Sequence, residues 1–291
     1  MIGSIDPPYL FAKNARHYRV PLGNTHLHLA GVTPSGAEHG FFLLPGYTDH
    51  LGRYTDFFNY FADRKQAVWA MDPRGHGLSS GRRGYVHRFS DYLGDLQQAL
   101  CTARERSGIK RWTLVGHSTG GLTVLSALVR RQAALKTWGV EQAVVTSPLL
   151  AIRLPVTPAK RRLGQVASAL LPWLSLPGGG TDYANSHDPD QEARRRTDPL
   201  IFKWVNARWF TEVQGEMDAL KGRSPEVNIP LLALQAGADR VVEPSATEAW
   251  MANCPSADYH VFADMYHEIL LETEREQVFQ HLADWVLGVR P

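Results

Sequence analysis

A chain of 291 residues with 44% hydrophobic and 21% charged side chains has the composition of a packed globular protein, large enough for one big domain or two ordinary ones. A formal net charge of +2, with no basic stripe carrying interleaved aromatics, argues against a nucleic-acid partner. Cys101 and Cys254 stand outside any CxxC arrangement, so neither a disulfide framework nor a zinc site is read from them.

The N-terminus has no apolar run behind a basic start, and no apolar stretch reaches the ~18 residues of a membrane span. A cytoplasmic protein is expected, with room for peripheral contact at a membrane. In chain order, residues 25–29 alternate polar and apolar, like a half-exposed strand. Phe41-Phe42-Leu43-Leu44 is a compact apolar run closed by Pro45-Gly46, the pattern of a buried strand entering a turn. Within 53–64, Tyr54, Phe57, Phe58 and Phe61 recur at helical spacing. Residues 67–71 form a second buried strand, ending in Asp72-Pro73-Arg74-Gly75-His76-Gly77. A helix over 90–106 places Tyr92, Leu93, Leu96 and Leu100 on one face. Residues 112–115 are a third buried strand, a helix follows over 121–131, and 143–145 are a fourth strand. This β-α-β-α rhythm predicts an α/β fold with a mostly parallel sheet and helices on both faces.

The rhythm breaks over 148–225. Prolines recur there, with Gly178-Gly179-Gly180 and the basic triplets Lys160-Arg161-Arg162 and Arg194-Arg195-Arg196. It resumes with strands at 231–234 and 259–262 and a final helix over 274–287. The expected organisation is a core of 1–147 and 226–291 carrying 148–225 as an insertion folded over it.

Between the third buried strand and its helix lies Gly116-His117-Ser118-Thr119-Gly120, a G-x-S-x-G pattern in the strand–turn–helix setting that a nucleophile elbow requires. A sharp turn strains the serine and presses its neighbours against adjacent chain, which Gly116 and Gly120 tolerate because they lack a Cβ. The helix that follows points its first N–H groups at developing negative charge. A serine needs a histidine to take its proton and a carboxylate to orient that histidine. Asp239, after the 231–234 strand, and His267, after the 259–262 strand, stand in the required order. Asp264 and Asp72 are rival acids; the first is expected to brace the histidine loop, the second to shape its own turn. Thr119 and Tyr47 are the expected backbone donors of an oxyanion hole, since Pro45 has no N–H. No metal or organic cofactor is required.

Together these residues resemble the monoacylglycerol lipase and lysophospholipase branch of the α/β hydrolases, of the serine aminopeptidase S33 type. The resemblance rests on residues 44–50 (Leu-Pro-Gly-Tyr-Thr-Asp-His) with Arg53-Tyr54, on Asp72 to Gly81, on the Ser118 elbow, on Gly237-Ala238-Asp239-Arg240-Val241-Val242 and on Tyr266-His267-Glu268. Within the insertion, Ser186-His187-Asp188-Pro189, Asp198-Pro199-Leu200 and Ala207-Arg208-Trp209-Phe210 are similar to lysophospholipase L2-like members. The resemblance implies an eight-stranded core, a helical cap and a Ser118–His267–Asp239 triad acting on a lipid ester. It departs from the family at Pro45-Gly46, where His-Gly is usual.

The stretch 158–173 reads as an amphipathic cap helix, with Leu163, Val166, Ala167, Leu170, Leu171 and Trp173 as its apolar face. It either packs on the core or rests on a lipid surface. Arg194 to Arg196 are a solvated charge run or a site for a lysophospholipid phosphate. Two other functions stay open: amide cleavage by an aminopeptidase-like enzyme, and a non-catalytic binding protein on a hydrolase scaffold.

Overall fold

The computed structural model describes residues 2–4, 6–153, 158–177 and 184–288, without the side chains of 158–161 and 163. Gly178-Gly179-Gly180 and the side chains of Lys160, Arg161 and Leu163 therefore lie outside the described residues. The chain opens with three antiparallel strands: β1 (Gly3–Ser4), β2 (Arg16–Leu22) and β3 (Thr25–Val32). Next come β4 (His39–Leu44), α1 (Thr55–Asp63), β5 (Ala67–Asp72), α2 (Ser90–Ser107), β6 (Arg111–His117), α3 (Thr119–Arg130), α4 (Gln132–Trp138) and β7 (Val140–Thr146). After β7 the chain leaves the sheet through α5 (Pro158–Leu170), β8 (Ser175–Pro177), α6 (Pro189–Thr197), β9 (Trp204–Asn206) and α7 (Ala207–Leu220). It returns as β10 (Leu231–Ala236), α8 (Pro244–Ala252), β11 (Ala257–Phe262) and α9 (Arg275–Leu287).

The main sheet runs β1-β2-β3-β5-β4-β6-β7-β10-β11. Its last six members are mutually parallel, and β3 joins them antiparallel through β5. Among the described residues the sheet has nine strands instead of the eight expected, because Gly3 and Ser4 add a short edge pairing to β2. The central strands are buried on both faces, and their alternation divides the core in two. Phe42, Leu44, Trp69, Met71, Leu114 and Val145 join one apolar cluster with α2, α3 and α4. Phe41, Leu43, Val68, Ala70, Val115 and Val144 join the other, with α1 and α9. The Phe57, Phe58 and Phe61 face of α1 is fully buried in that second cluster. Parallel strands all end at one rim, so the loops after β4, β6, β10 and β11 converge there.

Among the described residues between β7 and β10 no strand enters the main sheet; β8 and β9 form a separate two-stranded ribbon, and α5 packs on α7. Of the two arrangements expected of α5, the exposures favour the one with its apolar residues outward. Ser168 is buried, while Val166, Leu170, Leu171 and Trp173 are 45–71% exposed. Leu176 and Trp204 of the adjacent ribbon are exposed as well. Val166, Leu170, Leu171 and Trp173 thus face outward.

Candidate active site

The turn from β6 into α3 holds Ser118 at φ +53° and ψ −114°, a strained positive-φ conformation that an L-residue keeps only when its surroundings fix it. Three backbone hydrogen bonds do so: Ser118 N–H donates to the Thr146 carbonyl at 3.0 Å, and the Ser118 carbonyl accepts from Leu122 and Leu149 N–H. The flanking glycines are sterically obligatory. A Cβ on Gly116 would lie 2.5 Å from the Gly120 carbonyl oxygen, and one on Gly120 would lie 2.2 Å from that of Leu44. His117 is buried beside the serine, with Nδ1 3.1 Å from Thr146 Oγ1. Burial, with the neighbouring His267, pushes its pKa down to about 3 and keeps it neutral.

Asp239 lies beyond the end of β10 and is fully buried. Its Oδ1 accepts from Val241 and Val242 N–H at 2.8 and 3.0 Å, and its Oδ2 accepts from His267 Nδ1 at 2.7 Å. Burial opposes its charge, but His267 and these backbone donors win and hold its pKa below the usual carboxylate range. Burial likewise opposes charge on His267, yet Asp239 shifts that pKa upward on balance. The Asp239 bond takes the Nδ1 proton and leaves Nε2 as the basic nitrogen. Ser118 and His267 line the same cavity without a hydrogen bond between them; such contacts are often long in unliganded sites and tighten with substrate.

Tyr47 N–H and Thr119 N–H, the expected oxyanion donors, make no hydrogen bond to a described residue. Both residues line the cavity with Ser118. Gly46 brings the two loops together: a Cβ there would sit 3.3 Å from Ser118 Cβ.

The rival acids have other places. Asp72 bonds His28 Nδ1 at 2.6 Å and accepts from Leu51 and Leu78 N–H, which fixes the turn after β5. Asp264 is exposed and bonds no described residue, so it does not brace the histidine loop. That work falls to Glu272, which sequence reasoning missed. Its buried carboxylate accepts from Tyr266 N–H at 2.7 Å and from His187 N–H at 2.8 Å, tying the histidine loop to the insertion. A second support is Arg53, which the sequence singles out only through the resemblance. Its guanidinium binds Glu268 through Nη1 and Nη2 at 3.1 and 2.7 Å and Asp49 at 3.3 Å, all three side chains being buried.

The cavity holds about 190 Å³ and has a mixed lining. Leu149, Ile152, Ile201, Phe202, Trp204, Trp209 and Val241 supply apolar wall; Asp49, Asn185, Arg195, Arg240 and Glu268 supply polar wall. Of the Arg194 to Arg196 run, Arg194 and Arg196 are exposed, whereas Arg195 turns toward the cavity and pairs with Glu192 at 2.9 Å. No group of His, Cys, Asp and Glu suited to a metal ion occurs among the described residues.

The pattern described as serine aminopeptidase, S33, matches residues 37–274, which is most of the chain. The protein belongs to this family. Its fold is that of the α/β hydrolases, shared at 25% identity with the monoacylglycerol lipase of Paleococcus ferrophilus: TM-score 0.78, over 90% of this chain and 98% of that one. A phospholipase of Bacillus subtilis, YtpA, is 26% identical over 242 residues, 82% of this chain and 91% of its own. An uncharacterized abhydrolase domain-containing protein of Dictyostelium discoideum is also 26% identical, over 84% of this chain, which spans only 26% of that longer protein. The S33 member described here is thus an α/β hydrolase of lipase and esterase type. Among its described residues no helix is long and apolar enough to cross a membrane.

Proposed function

We propose that this S33 hydrolase cleaves carboxylic esters of single-chain lipids, as a monoacylglycerol lipase or lysophospholipase, through Ser118, His267 and Asp239. The observation that carries the reading is the cavity of mixed apolar and polar lining with Ser118 and His267 on its wall, His267 being bonded to the buried Asp239. An acyl chain belongs on the side of Phe202, Trp204 and Trp209, and a polar alcohol on the side of Asp49, Asn185 and Glu268. His267 takes the proton as Ser118 Oγ attacks the carbonyl, and Thr119 and Tyr47 N–H hold the oxyanion. His267 then returns the proton to the departing alcohol, and water repeats the cycle on the acyl-enzyme. Amide cleavage requires a carboxylate free to hold the substrate's amine. Asp49 and Glu268 line the cavity, but both are engaged by Arg53, which favours the ester reading.

The test is turnover by the purified protein of monoacylglycerols, lysophospholipids, p-nitrophenyl esters and aminoacyl amides, alongside labelling by a fluorophosphonate. Ester hydrolysis and labelling of Ser118 are expected. Amides cleaved while esters stay untouched would reverse the reading, and absence of labelling would make the protein a binding module. Lysophospholipids preferred over monoacylglycerols would point to Arg195, Lys203 and Arg240, the cavity's cations, as the head-group contact.

The segment 148–225 acts in this proposal as a cap over the cavity, and its outward apolar surface as a contact with lipid. Val166, Leu170, Leu171 and Trp173 are the amphipathic face of α5 and the turn after it, and such a face buries readily among acyl chains. Leu170→Glu with Trp173→Glu is expected to lower sedimentation with phospholipid vesicles at least fivefold, with turnover of a short soluble ester kept within twofold. Unchanged vesicle binding would remove the membrane role.

A further inference from the structure

We infer that the Tyr47 side chain is a positioning residue that ties the oxyanion loop to the cap, so that the hole is completed only when the cap is seated. The inference rests on the ester-hydrolase reading above, in which Tyr47 N–H is one of the two oxyanion donors.

The loop after β4 needs a brace. Its next residue, Thr48, is held at φ +70°, a left-handed conformation that costs a non-glycine residue roughly 1 kcal/mol or more. The backbone N–H groups of Gly46, Tyr47 and Thr48 bond to no described residue, so no core hydrogen bond from these donors fixes the loop. A small cavity of about 10 Å³ adjoins it, bordered by Pro45, Gly46, Tyr47, His76 and Thr119.

The brace comes from the other side. The Tyr47 ring stacks on Trp209 of α7, with centroids 3.5 Å apart and planes 20° from parallel. Phe202 meets the same ring edge-on at 5.2 Å. The Tyr47 hydroxyl donates to the Gly84 carbonyl at 3.0 Å and accepts from Asn206 N–H at 3.1 Å. Asn206 is the N-cap of α7, its Oδ1 accepting from Arg208 and Trp209 N–H. One phenol therefore joins the oxyanion loop to the first turn of a cap helix. Gly84 leaves room for it, since a Cβ there would lie 2.4 Å from the phenol oxygen.

Coupling follows from geometry. Phe202 and Trp204 line the cavity, and a substrate that displaces them moves the chain leading into Asn206 and α7. That displacement is transmitted through the Tyr47 oxygen to a loop whose N–H groups at Gly46, Tyr47 and Thr48 bond to no described residue, against the core-side hold of Gly84 and His76 on the same side chain. An oxyanion donor works only when aimed to within a few tenths of an ångström, and a misplacement of ~1 Å costs about 10²-fold in rate. Turnover thus depends on reseating of the cap around the bound acyl chain.

The experiment uses the full chain and a short p-nitrophenyl ester, with active sites titrated so that rates are per functional site. Tyr47→Phe keeps the ring and removes the hydroxyl bridge; kcat is expected to fall about tenfold with KM within twofold. Asn206→Ala loosens the same junction from the cap side and should lower kcat comparably. Asn206→Ala keeps the backbone N–H that meets Tyr47 and acts only by loosening the α7 cap that positions it, so the Tyr47→Phe, Asn206→Ala pair should be no more than twofold slower than Tyr47→Phe alone, where the hydroxyl is already gone. A kcat for Tyr47→Phe within twofold of the parent, or singles whose effects multiply, overturns the inference. A purely structural role would lower the melting temperature and the titratable fraction instead of kcat per site, and that result also overturns it. No ester turnover by the unaltered chain would instead sink the reading on which the inference stands.

Discussion

Alanine at position 118 is expected to lower kcat on a p-nitrophenyl ester by about 10⁵-fold or more, with the fold and melting temperature retained. The hydroxyl is the nucleophile in the proposed reaction, and its backbone is held by bonds that survive its loss. His267→Ala should cost a similar factor, and the double variant little more, because the two act as a unit. Asp239→Asn is the more informative change. The proposed relay needs the Nδ1 proton of His267 anchored at Oδ2, and an amide there is able to present a donor instead. A loss of about 10³ to 10⁴ in kcat is expected. The pH profile then carries the sign. His267 acts as a base only when neutral, so kcat/KM falls as pH drops through its pKa, which Asp239 raises. Removing that negative charge lowers the pKa, and the acid limb of kcat/KM should move to lower pH in Asp239→Asn. An unmoved limb would mean that another group sets it, and a loss below tenfold would exclude Asp239 as the orienting acid.

Most of the fold was legible because its strands are buried on both sides. Runs such as Phe41-Phe42-Leu43-Leu44 are apolar throughout and bounded by turn residues, so strand and position in the sheet follow together. The edge was not legible in the same way. Strand β2, Arg16–Leu22, buries only His17 and Val20 in a segment otherwise polar or half-exposed, and the strand reading began only at residue 25. The helix α5 shows a different limit, since both of its arrangements stayed open. Its periodicity was plain, but periodicity does not say which side is dry, and the large apolar residues proved to face outward.

The elbow was readable because its geometry is local: strand, Ser118, helix and two close-packed glycines fall within a few residues. The supports around it are not local. Arg53 and Glu268 meet across 215 positions, and Glu272 reaches across 85 to hold His187. Asp264 looked like the brace of the histidine loop because it is near His267 in sequence; Glu272 does that work from the next turn, where its side chain points inward. Sequence order identified which groups to bring together at the rim, and the side-chain pairing that holds the rim could be seen only in three dimensions.

Arg53→Met should destabilise the protein by about 3 kcal/mol at pH 7, since it strands two buried carboxylates while filling most of the same volume. One guanidinium serves both Glu268 and Asp49, and Tyr54 adds a hydroxyl donor to Asp49 at 2.7 Å. Burial disfavours charge on Glu268, but Arg53 outweighs it and draws the pKa down to about 2. Burial pushes Asp49 the other way, with the Glu268 charge adding to it. A depressed Glu268 contributes stability that is present above its unfolded pKa, about 4.5, and is lost as pH falls toward 2. With methionine at 53 that depression disappears and burial raises the Glu268 pKa above its unfolded value. The variant then gains relative to the parent as pH falls, so its deficit should be widest at pH 7 and narrow toward pH 5. Thermal or urea unfolding of both proteins at the two pH values measures this directly. A deficit that is flat with pH would show that Arg53 stabilises by packing alone, and a deficit under 1 kcal/mol would mean that water reaching the cavity wall already solvates both carboxylates.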